Sequence, residues 1–164
     1  MFRDSSEVLK FIQDEDVKFL DIRFTDLPGV QQHFNIPAST VDDFGIEAWV
    51  NPASAAGRQV IMYNGDTGAN GYGLTIESGN FKGLYGGVAY FDTGVPATPG
   101  IWRHIALVRD SGVTKMFVDG TLVLSDNVAV PNQVSPAAGA KFAIGRSPQA
   151  EIDYFSGSVD EVRV

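Results

Sequence analysis

Short runs of alternating apolar and polar residues, separated by turns, dominate the chain after Pro37. No part of this stretch keeps a helical period, and the runs recur about every 8 to 12 residues, as in a sandwich or barrel. The pattern therefore predicts an all-β fold of two packed antiparallel sheets. Ten strands are predicted in this region, at 45–50, 59–63, 72–77, 81–85, 87–92, 102–109, 115–118, 121–125, 141–144 and 157–164.

Turn-forming residues lie between these runs. Asp119-Gly120, between two apolar pairs, is the strongest signal, because a two-residue hairpin needs φ > 0 at positions that Asp and Gly tolerate. Residues 78–80 and 110–112 are weaker versions of the same signal. Longer segments rich in Gly, Pro, Ala and Asn are predicted as rim loops, at 64–71, 93–100, 127–139 and 147–153.

The first 43 residues have a different character, with nine acidic and four basic side chains and one of the 18 glycines. Asp4 and Glu7 have capping-box spacing, and the apolar residues that follow recur at helical intervals. From Val17 the period changes to two, with turn chemistry at 26–29. We therefore predict a short amphipathic helix followed by a hairpin that ends at Pro37. The helix face is expected to pack on the hairpin or the sandwich edge, or to form an oligomer contact; it comprises Val8, Leu9, Phe11 and Ile12.

Charge and composition exclude several function classes. The formal charge of −8 argues against nucleic acid and anionic membranes as partners, because those surfaces attract basic proteins. The absence of cysteine excludes disulfides and thiolate sites, and two histidines are too few for a multi-histidine metal centre. No apolar run is long enough to insert into a membrane. The first ten residues lack the apolar core of a secretory signal, so the compartment stays open.

Five segments in series carry a family resemblance: FGIEAWV at 44–50, YGL at 72–74, GIWRHIALV at 100–108, FVDG at 117–120 and FSGSVDEVRV at 155–164. In order and spacing they resemble the laminin G-like, concanavalin A-like jelly-roll domain over about 41–164. The resemblance implies a two-sheet antiparallel sandwich that is usually a non-catalytic recognition or adhesion module. Such modules often bind glycans or glycoproteins and are common on extracellular, phage and cell surfaces.

A second resemblance covers about 1–39 and is densest at 17–38, VKFLDIRFTDLPGVQQHFNIPA. This stretch is similar to the start of bacterial type I glutamine synthetase, which implies a helix and the first hairpin of a β-grasp domain. The family's catalytic barrel, metal-binding glutamates and nucleotide site lie further along, and this chain leaves the pattern before them. No glutamine synthetase activity is therefore expected.

The junction suggests a chimeric chain, whether natural, metagenomic or engineered, with parts at 1–40 and 41–164. The hairpin is predicted to supply the first strand of the sandwich, with Phe34 and Ile36 facing the core, and to pair with 159–164. Gln31-Gln32 replace two acids of the jelly-roll pattern. A calcium ion that depended on those acids would lose two ligands here.

Catalytic constellations are not evident. Neither histidine lies in a nucleophile context, and Trp102 and His104 share a strand face, where Trp102 is expected in the core. The Glu-x-Asp-x-x-Glu run of sandwich glucanases is missing, and alternation places Asp160 and Glu161 on opposite faces. We therefore predict that the chain is not an enzyme, with a degenerate glycoside hydrolase as one alternative.

Glycan is the leading predicted ligand, since aromatic rings can stack on sugar faces. The candidate sugar-contacting residues are Tyr63, Tyr72, Tyr85, Tyr90 and Tyr154, each of which could instead be a half-buried sheet residue. Calcium is the candidate cofactor, with oxygen ligands from Asn64, Asp66, Thr67 and Asn70 in one loop and from Asp160. Simple turn formation is the alternative for that loop. A structural or assembly protein without a ligand is the other function left open.

Overall fold

A computed structural model describes residues 5–15, 17, 19–25, 31–37, 43–126, 136 and 140–164. The predicted cap at Asp4, the turn at 26–29 and most of the loop at 127–139 lie outside the described residues. One helix and twelve strands follow in chain order: α1 (Ser5–Asp14), β1 (Phe19–Thr25), β2 (Gln31–Pro37), β3 (Phe44–Pro52), β4 (Gln59–Asp66), β5 (Asn70–Glu77), β6 (Asn80–Tyr85), β7 (Ala89–Pro96), β8 (Arg103–Asp110), β9 (Val113–Val118), β10 (Thr121–Asp126), β11 (Phe142–Ile144) and β12 (Gly157–Arg163).

The all-β prediction is confirmed, and each of the ten predicted strands is present as one of β3 to β12. The main difference lies in the 64–71 loop, because β4 and β5 extend into it and leave a tight turn at 67–69. The ladder continues through Asn64↔Tyr72 to Asp66↔Asn70. Glycines 65 and 71 face each other in this ladder, so the backbones can approach closely where side chains would collide.

Two five-stranded antiparallel sheets form the sandwich. Sheet 1 has the strand order β10-β9-β8-β3-β12, and sheet 2 has the order β11-β4-β5-β6-β7. The hairpin β1-β2 is a separate two-stranded ladder that runs from Phe19↔Pro37 to Thr25↔Gln31. Among the described strands, β12 pairs with β3 alone and lies at the edge of sheet 1. The predicted pairing of β2 with the C-terminal strand therefore stays a prediction.

The core lies between the two sheets and follows from strand alternation. In β3, Ile46, Ala48 and Val50 are buried, while the residues between them are open to solvent in whole or part. Sheet 2 contributes Leu74 and Ile76 to the same cluster. Fully burying each large aliphatic side chain contributes about 1.5 to 3 kcal/mol, so this inner layer dominates the stability of the fold.

The N-terminal helix is amphipathic, as the sequence predicts. Ile12 is buried and Val8 is half-buried, whereas Phe11 is exposed. Lys10 Nζ donates to Asp14 Oδ2 across one turn at 2.7 Å, an exposed pair that adds only a few tenths of a kcal/mol. Within the described residues, no helix has the length and apolar character needed to cross a bilayer.

Candidate functional site

A cavity of about 310 Å³ opens on the outer face of sheet 2, and we call it the Tyr90 cavity. Its lining combines one basic side chain, one open aromatic ring and the turns on either side: Arg58, Thr67, Gly68, Leu84, Tyr85, Gly87, Val88, Ala89 and Tyr90. A volume of this size is at the lower end of the range for small-molecule sites.

One row of residues crosses four strands of sheet 2 beneath this cavity. Tyr63 pairs with Gly73, Gly73 with Leu84, and Leu84 with Tyr90. Tyr63 and Leu84 are buried together in a cluster separate from the main core. Their side chains therefore form an apolar floor, and Tyr90 stands at its end with 44% of its surface exposed.

Charged residues lie around the Tyr90 hydroxyl. Arg58, Glu77 and Asp153 are close enough to affect its ionisation. Burial is the main cause that raises the pKa of this hydroxyl; the two carboxylates raise it further and the guanidinium lowers it. The Tyr90 hydroxyl therefore stays protonated at neutral pH and can donate a hydrogen bond.

Arg58 has N–H groups to which no hydrogen-bond partner is found among the described residues. Its Nε lies 3.4 Å from Asp153 Oδ2 in an ion pair. Neither Nε nor Nη2 has a hydrogen-bond partner among the described residues, although both atoms are shielded from solvent. Thr75 Oγ1, on the same sheet, is likewise buried without a described partner. Buried polar groups are costly when unpaired, so the Arg58 atoms in the lining of this cavity favour a polar ligand.

The five predicted sugar-contacting tyrosines divide into three groups. Tyr63 and Tyr85 are fully buried, which corrects the prediction for both, because neither ring face is open to a sugar. Tyr72 stacks on Phe44 with ring centroids 3.9 Å apart and is half-buried. Tyr90 and Tyr154 are exposed, and Tyr154 follows Asp153 and bridges to Val60 beside the floor. For Tyr72, Tyr90 and Tyr154, sugar contact stays a prediction.

The predicted calcium ligands are brought together only in part. Asn64, Asp66, Thr67 and Asn70 lie in and beside the β4-β5 turn, whereas Asp160 lies on β12 in the other sheet. Asp66 Oδ1 accepts the Gly68 N–H at 2.8 Å, and Asn70 Oδ1 accepts the Asp66 N–H at 3.3 Å. The described residues contain no group of three or more acidic or histidine side chains placed to hold an ion. Calcium binding stays a prediction.

Two predictions about side chains of sheet 1 are wrong. Trp102 has 44% of its surface exposed instead of lying in the core, because Ile105 and Leu107 take the inner positions of β8 and even-numbered residues point outward. Asp160 and Glu161 do not lie on opposite faces of β12 but line one cavity. A β-bulge in this strand is responsible, and alternation alone gives no sign of it.

Sequence reasoning also missed the charged residues near Tyr90. Arg58, Glu77 and Asp153 are far apart in the chain and have no motif in common. The only available signal was their position at strand ends, next to 59–63, 72–77 and the loop at 147–153. The fold brings these three residues together near Tyr90, and a linear sequence pattern does not reveal this proximity.

The N-terminal part is similar to glutamine synthetases. The enzyme from Streptomyces filamentosus is 62% identical over 42 residues, which are 26% of this chain and 9% of that enzyme. The enzyme from Streptomyces coelicolor is 51% identical over 61 residues, or 37% of this chain and 13% of that enzyme. The chain thus spans only about a tenth of the length of these relatives.

Solved sandwich domains share the fold of the rest of the chain. Domain 4 of an extracellular arabinanase from Geobacillus stearothermophilus, in complex with arabinotriose, has a TM-score of 0.58 at 21% identity; the match covers 87% of this chain and 73% of that one. A pentraxin from Limulus polyphemus has a TM-score of 0.56 at 16% identity, covering 73% and 61%. At these identities the similarity shows the fold alone.

The family profile that matches this chain extends over residues 28–164, most of its length. It begins before the predicted boundary near 41 and therefore includes β2. Together with the two antiparallel sheets, the match shows that the chain belongs to the concanavalin A-like lectin/glucanases superfamily.

Proposed function

We propose that this protein is a non-catalytic recognition module that binds a neutral oligosaccharide in the Tyr90 cavity. One observation carries the proposal: the exposed Tyr90 ring lies beside shielded Arg58 N–H groups that have no hydrogen-bond partner among the described residues. Sugars need both an aromatic surface and convergent polar groups, which this cavity combines. Membership of a family that includes lectins supports the same ligand class.

Binding is favoured over hydrolysis because the two carboxylates near Tyr90 lie against groups of the protein. Glu77 lies near the Tyr90 hydroxyl, and Asp153 pairs with Arg58. These contacts place an aromatic ring beside a guanidinium, an arrangement that suits ligand binding. The segment similar to glutamine synthetase contains none of that family's catalytic parts, so it adds no reaction to this proposal.

The test is calorimetric titration of the full chain with arabinotriose and a panel of other neutral oligosaccharides. We expect saturable binding by at least one of them. Tyr90→Ala removes the ring face and should weaken that binding about tenfold or more. Tyr90→Phe keeps the ring and should stay within about threefold of the parent affinity, because only the hydroxyl group is lost.

Trp102→Ala is the matched control, since it removes an exposed aromatic ring from the other sheet. Loss of binding in Trp102→Ala but not in Tyr90→Ala would contradict the proposed location. Repeating the titration with a chelator tests calcium, and lost binding there would support an ion at the β4-β5 turn. A folded protein that binds no glycan would favour the alternative of a structural or assembly protein.

A further inference from the structure

A second cavity, of about 290 Å³, opens on the outer face of sheet 1, on the opposite side of the sandwich from the Tyr90 cavity. It is lined by Trp49, Trp102, Asp160 and Glu161, and we call it the Trp cavity. The two indole side chains are 39% and 44% exposed. Trp49 also packs against His104, with ring centroids 5.4 Å apart, so its orientation is supported from one side.

A β-bulge aims both carboxylates at this cavity. Asp160 pairs with Trp49, and the register then shifts before Arg163 pairs with Glu47. Within the bulge, Glu161 has φ of 47°, in the left-handed region that residues other than glycine rarely adopt. Such strained positions persist only where surrounding structure holds them, and they cluster at ligand sites.

The charges around the Trp cavity do not balance when histidine is counted as neutral. Arg163 pairs with Glu47 at 2.7 Å and with Glu161 at 3.2 Å, and His104 Nε2 lies 3.5 Å from Glu47 Oε2. Asp160 accepts the backbone N–H of Glu161 at 2.8 Å, and no ion pair of Asp160 is found in the described part of the chain. Three carboxylates against one guanidinium leave a formal charge of −2 beside two open indole rings.

We propose that the Trp cavity binds an alkylammonium cation, with a quaternary ammonium head group as the best fit. A cation over an indole face is attracted by the negative face of the ring, and tryptophan is the best aromatic residue for this contact. The Asp160 and Glu161 carboxylates supply the opposite charge. The volume of about 290 Å³ is sufficient for such a compact head group.

Tryptophan fluorescence of the full chain provides a direct test, because both tryptophans of the protein line this cavity. Titration with tetramethylammonium chloride, at ionic strength held constant with sodium chloride, should give a saturable change with a dissociation constant of about 1 mM to 10 mM. tert-Butanol, which is neutral and similar in shape, should bind at least about tenfold more weakly.

Asp160→Asn keeps the side-chain shape and both fluorophores, and it should weaken tetramethylammonium binding about fivefold or more. Glu161→Gln is the second variant, in case the first fails to fold. Asp92→Asn, which removes an exposed carboxylate from sheet 2, should leave the titration unchanged. Equal responses to tetramethylammonium and tert-butanol, no saturable change, or parent affinity in both cavity variants would overturn the proposal.

Discussion

Two buried tyrosines, Tyr63 and Tyr85, should make the unfolding free energy of the protein depend on pH. Burial is the largest cause that raises the pKa of Tyr63 and of Tyr85 above the ordinary value of 10.0. In the unfolded chain both ionise near pH 10, so above that pH the unfolded state binds fewer protons than the folded state. Unfolding free energy should therefore fall as pH rises, by up to about 1.4 kcal/mol per pH unit for each tyrosine. Urea denaturation between about pH 9 and about pH 11 measures this slope.

Tyr85→Phe separates the two contributions. This variant should lose part of the alkaline slope, because one ionisable group is gone. It should also lose about 1 kcal/mol of unfolding free energy at neutral pH, since the buried bond between the Tyr85 hydroxyl and Thr114 Oγ1, 3.0 Å long, is removed. Unfolding free energy that stays constant with pH in the parent would contradict the burial of both tyrosines.

At the scale of the strand, two glycines can be compared by substituting each with alanine. A β-carbon at Gly73 in β5 would overlap the Tyr63 ring and the Met62 carbonyl oxygen. One at Gly45 in β3 would meet only Val108 Cγ2, at an ordinary 3.8 Å. Gly73→Ala should cost about 3 kcal/mol by overpacking. Gly45→Ala should be neutral or stabilise by about 0.5 kcal/mol, because alanine loses less backbone entropy on folding.

Chemical denaturation of both alanine variants measures these differences. Tyr63 forms the floor beside Tyr90, so Gly73→Ala should also weaken glycan binding, whereas Gly45→Ala should not. Equal stabilities in the two variants would mean that Tyr63 does not lie across Gly73.

Strand positions could be predicted from this sequence because alternation and turn residues are local signals. The Asp119-Gly120 turn, for example, connects β9 and β10 as predicted, with both residues at positive φ. Exposure of the outer faces could not be predicted in this way. Alternation assigns Tyr63 and Tyr90 to one face, but only the packed structure buries the first and opens the second.

The bulge in β12 is a second feature, this time in a candidate site, that could not be predicted from local sequence signals. It depends on how β12 pairs with β3, and the sequence of β12 alone predicts plain alternation. Arg58, Glu77 and Asp153 likewise come from three separated segments that meet only in the fold. Side chains whose positions depend on such contacts are the ones that sequence reasoning placed wrongly or missed.

For the whole molecule, the region that the family profile covers indicates how the two parts of the chain join. The family profile starts at residue 28, inside the stretch that resembles glutamine synthetase, and so includes β2 but not β1. Among the described strands, β12 is an edge of sheet 1 with its outer side open. An open edge favours unwanted pairing between molecules, so a strand that covers it would protect the fold.

We therefore expect two shortened chains to behave differently. A chain of residues 28–164 should unfold cooperatively with stability near that of the full protein, because it keeps β2. A chain of residues 41–164 should lose about 3 kcal/mol or more, the burial of two apolar side chains, if Phe34 and Ile36 face the core as predicted. It should also associate through the β12 edge, which size-exclusion chromatography would detect beside thermal and urea denaturation. Equal stability and solubility of both chains would show that β2 is not a strand of the sandwich.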